Sequence, residues 1–186
     1  MATYEGRKLH PNYWFNKSSD LHGAAAVLWT AMNNDDTTLR AECALDPSYR
    51  FKVALPLPFR MLCGMSIELL LKAIIVAHSQ EPGMTHGLSS LARAAGVKFA
   101  DSQLPLLEIL SQTIVWDGRY PVPTPKNQQS FEKLSTLKSK YLRDRKTIGK
   151  MQFLVANAAL DWTSYNQIRS VALQKFYSTA PVAEAS

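Results

Sequence analysis

"LPLPFRMLCGMSIELLLKAIIVAHSQEPG", Leu55 to Gly83, decides the fold. Its apolar residues recur without the two-residue alternation of a half-buried strand, and they fall on nearly every side of a helix. A helix that is apolar all round belongs at the centre of a bundle. Pro58 suits its first turn, where a missing N–H costs nothing, and Pro82 with Gly83 stops it. Glu68 and Lys72 interrupt the apolar run, so it falls short of ~18 uninterrupted apolar residues and reads as a buried helix, not a membrane span.

The flanking sequence is helical in pattern too. In "KSSDLHGAAAVLWTAM" the Lys-Ser-Ser-Asp start offers N-cap residues, and Leu21, Ala24, Ala25, Leu28, Ala31 and Met32 share one helix face. "RAECALDPSYRFKV" reads as an irregular connection or a short helix. Thr85 is placed to cap "HGLSSLARAAG", and Gly96 suits its C-terminal end. "DSQLPLLEILSQTIVW" follows, with Asp101 or Ser102 as cap and Pro105 in the first turn.

"DGRYPVPTPKN" has prolines in alternate positions, cannot be helical and must be extended or polyproline-like. Helical spacing resumes through Phe131, Leu134, Leu137, Tyr141 and Leu142. A final helix is expected over "GKMQFLVANAALDWTSYNQIRSVALQKFY". No strand, internal repeat or second domain is expected. The predicted architecture is all-α, an up-and-down bundle of four to five main helices. It divides into an N-terminal arm at 1–16, a single helical domain at 17–178 and a flexible tail at 179–186.

With 186 residues, 46% of them hydrophobic and 19% charged, the chain can bury a substantial core. Its net charge of +6 favours anionic partners: nucleotides, RNA or an acidic protein surface. Cys43 and Cys63 have no metal or redox spacing and read as two buried thiols. The N-terminus lacks the apolar core of a signal peptide, so the expected location is cytoplasmic. No phosphate-binding glycine loop, zinc-ligand spacing or serine-nucleophile elbow is present, and no cofactor or metal is expected.

Four constellations remain. Glu68 and Lys72 lie one turn apart on the central helix, either as a self-satisfied ion pair or as a pair that meets a phosphate. His86 in "THGL" is a second cap, a partner for Glu68 across the bundle, or a proton carrier. In "WDGRYPVP", Trp116, Arg119 and Tyr120 combine a guanidinium with aromatic rings, as a loop brace or a recognition element. Lys138, Lys140, Arg143 and Arg145 in "KSKYLRDRKTIGK" are a solvated helix face or a track for a phosphate backbone. His78, at a helix end, is less suggestive.

"MLCGMSIELLLKAIIVAHSQEPGMTHGLSSLARAAGV", followed by "WDGRYPVP", resembles the HEPN family of helical-bundle domains. The resemblance rests on the helix with Glu68 and Lys72, the Thr85-His86-x-Leu88 turn and the Arg119-Tyr120-Pro121 loop, over roughly 56–123. It implies an often dimeric bundle with a role in RNA metabolism, nucleotide binding, or a defence or toxin–antitoxin-like system. A nucleotidyltransferase-type protein is an implied partner. Many HEPN members are ribonucleases with an Arg-x(4–6)-His motif, and none of His10, His22, His78 or His86 follows an arginine at that spacing.

The resemblance therefore implies a binding module for a nucleotide, RNA or partner protein. Lys72, His86, Arg119 and Tyr120 would form its site, with Glu68 orienting Lys72. The alternatives are a divergent metal-independent endoribonuclease using His86, and a structural bundle in which these polar groups only lock helices together.

Overall fold

A computed structural model describes residues 3–34, 37–123 and 128–179. The described chain is mostly helical, with one small two-stranded sheet. A short α1 (Tyr4–Lys8) leads into α2 (Pro11–Asn34), followed by α3 (Thr37–Glu42), α4 (Phe51–Ala54), the central α5 (Pro56–Ala77) and α6 (Leu88–Ala94). Then come α7 (Leu104–Gln112), which runs on into a π-helical turn (Thr113–Asp117), and α8 (Gln128–Tyr141). A hairpin of β1 (Arg143–Ile148) and β2 (Met151–Ala156) precedes α9 (Trp162–Thr179). Among the described residues no helix is long and apolar enough to cross a membrane.

The centre is α5, whose Phe59, Ile67, Leu70, Leu71 and Ile74 are almost wholly buried. Around it lie Leu88 and Leu91 of α6, Leu107 and Leu110 of α7, Leu134 of α8, and Tyr165, Ile168 and Phe176 of α9. Its longest neighbour is α2, and the seam between them is polar as well as small. Ser18 Oγ donates to the Ser66 carbonyl at 2.7 Å, and Ser66 Oγ donates to the Ser18 carbonyl at 2.9 Å.

This seam corrects the expected start of the helix. The sequence offers Ser18 as part of a cap, yet it is buried mid-helix, and α2 begins at Pro11, within the expected arm. Proline suits that first position, since its absent N–H would have no helical partner. Other termini differ as well. The central helix stops at Ala77, ahead of Pro82, because Ser79 adopts a left-handed φ of 56°. Ser79 N then donates to Val76 O and Gln80 N to Ile75 O, which satisfies the last carbonyls. Thr85 accepts from Gly87 N within the preceding turn and does not cap α6. Gln103, not Asp101 or Ser102, stands at the start of α7.

The main departure is the hairpin, where the sequence suggested the end of one helix and the start of the last. Ile148 pairs with Met151 and Arg143 with Ala156. Gly149 and Lys150 form the two-residue turn, and Gly149 takes the left-handed φ of 61° that its first position needs. The expected last helix consequently begins only at Trp162. Cys43 is exposed, contrary to expectation, while Cys63 is buried. Of the proline-rich stretch, 124–127 lies outside the described residues, as does 180–186 of the expected tail.

Candidate functional site

Glu68 and Lys72 project from successive turns of α5 and are both buried. Lys72 Nζ lies 2.7 Å from Glu68 Oε1. His86, from the loop between α5 and α6, brings Nδ1 to 3.1 Å from each carboxylate oxygen. A buried carboxylate is costly unless its lone pairs are used, and here two side chains share it. An ionised carboxylate only accepts, so Nδ1 carries the hydrogen and Nε2 is left as the free ring position. The imidazole is half exposed, whereas the Glu68 and Lys72 side chains are almost wholly buried.

Glu68 and His86 border a groove of about 290 Å³, with Arg119 on the same groove and Met61, Met65 and Leu69 among its apolar lining. Glu68, Lys72, His86 and Arg119 are thus gathered in one place, but Lys72 reaches only Glu68 and does not line the groove. Arg119 is exposed; its Nη2 donates to the Val115 carbonyl and its guanidinium lies 5.7 Å from the Tyr120 ring centre. Tyr120 points to solvent and lines no described groove here. Trp116 is a core residue: its Nε1 donates to Gln112 at 3.0 Å and its ring packs near Phe131.

The π-helical turn sets the position of Arg119. Gly118 N donates to Thr113 O across five residues at 2.9 Å. The turn is tight: a Cβ on Gly118 would lie 2.8 Å from Thr113 O and 2.9 Å from Met61 Sδ. Asp117 accepts from Lys138 Nζ at 2.7 Å through both oxygens, tying α8 to this turn.

That pairing separates Lys138 from the other cations of its run. Arg143 and Arg145 stand on a strand, not on a helix, and alternate residues of a strand share a face. Together with Lys140 of α8 they line a second groove of about 560 Å³. Hydroxyls of Ser135, Thr136 and Ser139 line it too, and no carboxylate does. Asp144 lies on the opposite face and accepts from Asn157 Nδ2. The cross-strand register puts Ile148, Met151 and Phe153 on that opposite face, where all three are exposed.

Two further groupings escaped the sequence reading. His22 Nδ1 lies 3.1 Å from Tyr165 Oη, and its ring stacks on Trp162 at 4.9 Å. Burial, and then the nearby Arg169 guanidinium, hold His22 below its usual value. Burial pushes the Tyr165 hydroxyl up. The other is a groove of about 460 Å³ lined by Tyr4, Tyr13, Trp14, Arg7 and Lys17. Its signal was the interleaving of aromatic and basic residues in "YEGRKLHPNYWFNK", which reads as an arm when no partner surface is in view.

Among the described residues no group of three or more His, Cys, Asp or Glu side chains is arranged to hold a metal ion. No family model matches the chain, and comparison with curated proteins and with solved structures returns no match.

Proposed function

We propose that this chain is a HEPN-like binding module for single-stranded RNA, acting in the cytoplasm, with phosphates held between α8 and the hairpin. One observation carries this reading. Lys140, Arg143 and Arg145 converge from two elements on one groove that hydroxyls line and carboxylates do not. None of the three has a carboxylate partner among the described residues. Cations left unneutralised on one surface attract a phosphate backbone, and release of its counterions makes the binding salt-dependent.

The test is fluorescence anisotropy of a labelled single-stranded RNA at several salt concentrations. The K140A/R143A/R145A variant should bind at least tenfold more weakly. For single strands each phosphate contact contributes roughly 0.7 to the slope of log K against log salt, so the slope should flatten by about two. Equal affinity and slope in the two proteins would sink the proposal.

The dimer that the resemblance implies belongs to the same reading. A lone two-stranded hairpin is marginal in water, and a second copy would cover Ile148, Met151 and Phe153. Asp144 and Lys146 lie on that face, so a two-fold axis passing between them would set each opposite its complement. A nucleotidyltransferase-type partner and a defence or toxin–antitoxin-like setting rest on the sequence resemblance.

A second reading, metal-independent cleavage of RNA, is favoured by the geometry at His86. Its Nδ1 is held by Glu68, which leaves Nε2 free at the groove to take the proton of a 2′-hydroxyl as that oxygen bonds the phosphorus, with Arg119 beside the phosphate and water supplying the proton to the 5′-oxygen whose bond to phosphorus breaks. Incubation with total RNA decides it: cleavage that disappears in His86→Ala supports a nuclease, and absence of cleavage removes it.

A further inference from the structure

We infer that the groove between α1, the start of α2 and the loop after α5 is a stacking subsite for an unpaired base of the bound RNA strand. This rests on the reading of the chain as an RNA-binding module. Proteins that hold single strands without base pairing combine aromatic faces with a cationic surface, because every base has a stacking face and every linkage a charge.

Both features are present. Tyr4 is 78% exposed and Tyr13 is 44% exposed. Exposed aromatic side chains of this size forfeit the burial that would otherwise stabilise the fold. Trp14 directly follows Tyr13 in sequence and is fixed in orientation, since its Nε1 donates to the Lys8 carbonyl at 3.0 Å. Leu69, Pro82 and Met84 supply apolar lining, and Met84 is 93% exposed.

The charge is one-sided. Arg7, Lys8 and Lys17 line the groove and no carboxylate does. Lys8 is committed to Glu81 at 2.6 Å, which anchors the loop after α5 to α1. Lys17 is 3.8 Å from Asp20, with both side chains well exposed. Arg7 has no carboxylate partner among the described residues; its guanidinium lies 5.7 Å from the Tyr13 ring centre. That places a cation beside an aromatic face, where the phosphate of a stacked nucleotide would meet it.

The subsite adjoins the groove of Glu68, His86 and Arg119. Leu69 lines both, so a strand leaving the aromatic rings past Leu69 would meet His86 and Arg119 next. The occupant this favours is a base within a strand, with phosphates on either side of it, ahead of a free nucleotide.

The experiment uses single-stranded RNA containing 4-thiouridine, photo-crosslinked to the full chain, with the modified peptide identified by mass spectrometry. Crosslinks to Tyr4, Tyr13, Trp14 or Met84 are expected. In a parallel titration the Y4A/Y13A variant, checked for an unchanged melting temperature, should bind RNA about tenfold more weakly with the same salt slope, because stacking and not phosphate contact is removed. Unchanged affinity with crosslinks only elsewhere overturns the subsite while leaving RNA binding intact. Tyrosine-dependent binding of adenosine monophosphate, with RNA crosslinks confined to other regions, overturns the strand assignment. If the unaltered chain binds no RNA at all, the functional reading itself fails and the subsite with it.

Discussion

His86 Nδ1 lies 3.1 Å from each carboxylate oxygen of Glu68. This contact joins the loop after α5 back onto α5, while Lys72 holds the same carboxylate from within the helix. The three residues form a unit in which the carboxylate is the shared member. Removing it should therefore cost more than removing both buried charges together. Glu68→Ala leaves Lys72 buried without an anion and should destabilise by about 3–5 kcal/mol. The double change E68L/K72M should recover most of that loss. Urea unfolding of both variants checks the order, and a double variant no more stable than Glu68→Ala would refute it.

His22 gives the fold a pH dependence of known sign. Burial, first, and Arg169, second, lower its proton affinity from the usual value of 6.5. The unfolded chain takes up a proton that the folded chain refuses until a lower pH. The stability that His22 contributes is therefore complete above about 6.5 and is lost as pH falls through the depressed folded value. The drop in melting temperature between pH 7.5 and 5.5 should be smaller in His22→Gln than in the unaltered chain. An identical drop would show that the ring does not couple to unfolding.

Ser79 ends α5 in a conformation that suits glycine. Ser79→Gly relieves the Cβ and keeps the two backbone hydrogen bonds that close the helix. The expected gain is about 0.5–1 kcal/mol after the added backbone freedom of glycine is offset. For a chain of this length that is roughly 2–4 °C per kcal/mol in melting temperature, measurable by calorimetry.

The apolar hairpin face has its own test. Light scattering should give the mass of a dimer for the unaltered chain and of a monomer for Phe153→Lys, with the melting curve of the monomer still cooperative. A monomeric unaltered chain would remove the dimer from the proposed function.

The central helix was legible because nothing but a buried helix accounts for "LLLKAIIVA" between proline signals. The polar cluster was legible for the same reason: Glu68 and Lys72 are out of place there, and one turn of helix makes them neighbours. The hairpin was not. Every residue of β1 is exposed, so "RDRKTI" carries no alternation, and the helical spacing of Leu134, Leu137 and Tyr141 leads into it unbroken. Only the Gly149-Lys150 turn marks the change, and one glycine between charged residues is a weak sign. Ser18 failed differently, since a serine that caps a helix and a serine buried in a close helical seam are the same letter. The aromatic groove was hidden because its walls come from 4–17 and 69–84, which only the fold brings together.

The π-helical turn after α7 has a geometric consequence for Arg119. Each residue of an α-helix advances the side chain by about 100° around the axis. The π-helical turn inserts one residue beyond the α-helical repeat, so the point at which the chain leaves the helix is displaced around its axis from where α7 alone would put it. Ile114 and Trp116 stay inward, the chain leaves the helix at Gly118, and the turn closed by Arg119 N and Tyr120 N on Trp116 O sets Arg119 at the groove of Glu68 and His86. A one-residue deletion within 113–117 would restore the α-helical repeat, move the exit at Gly118 around the axis and displace the guanidinium from this groove.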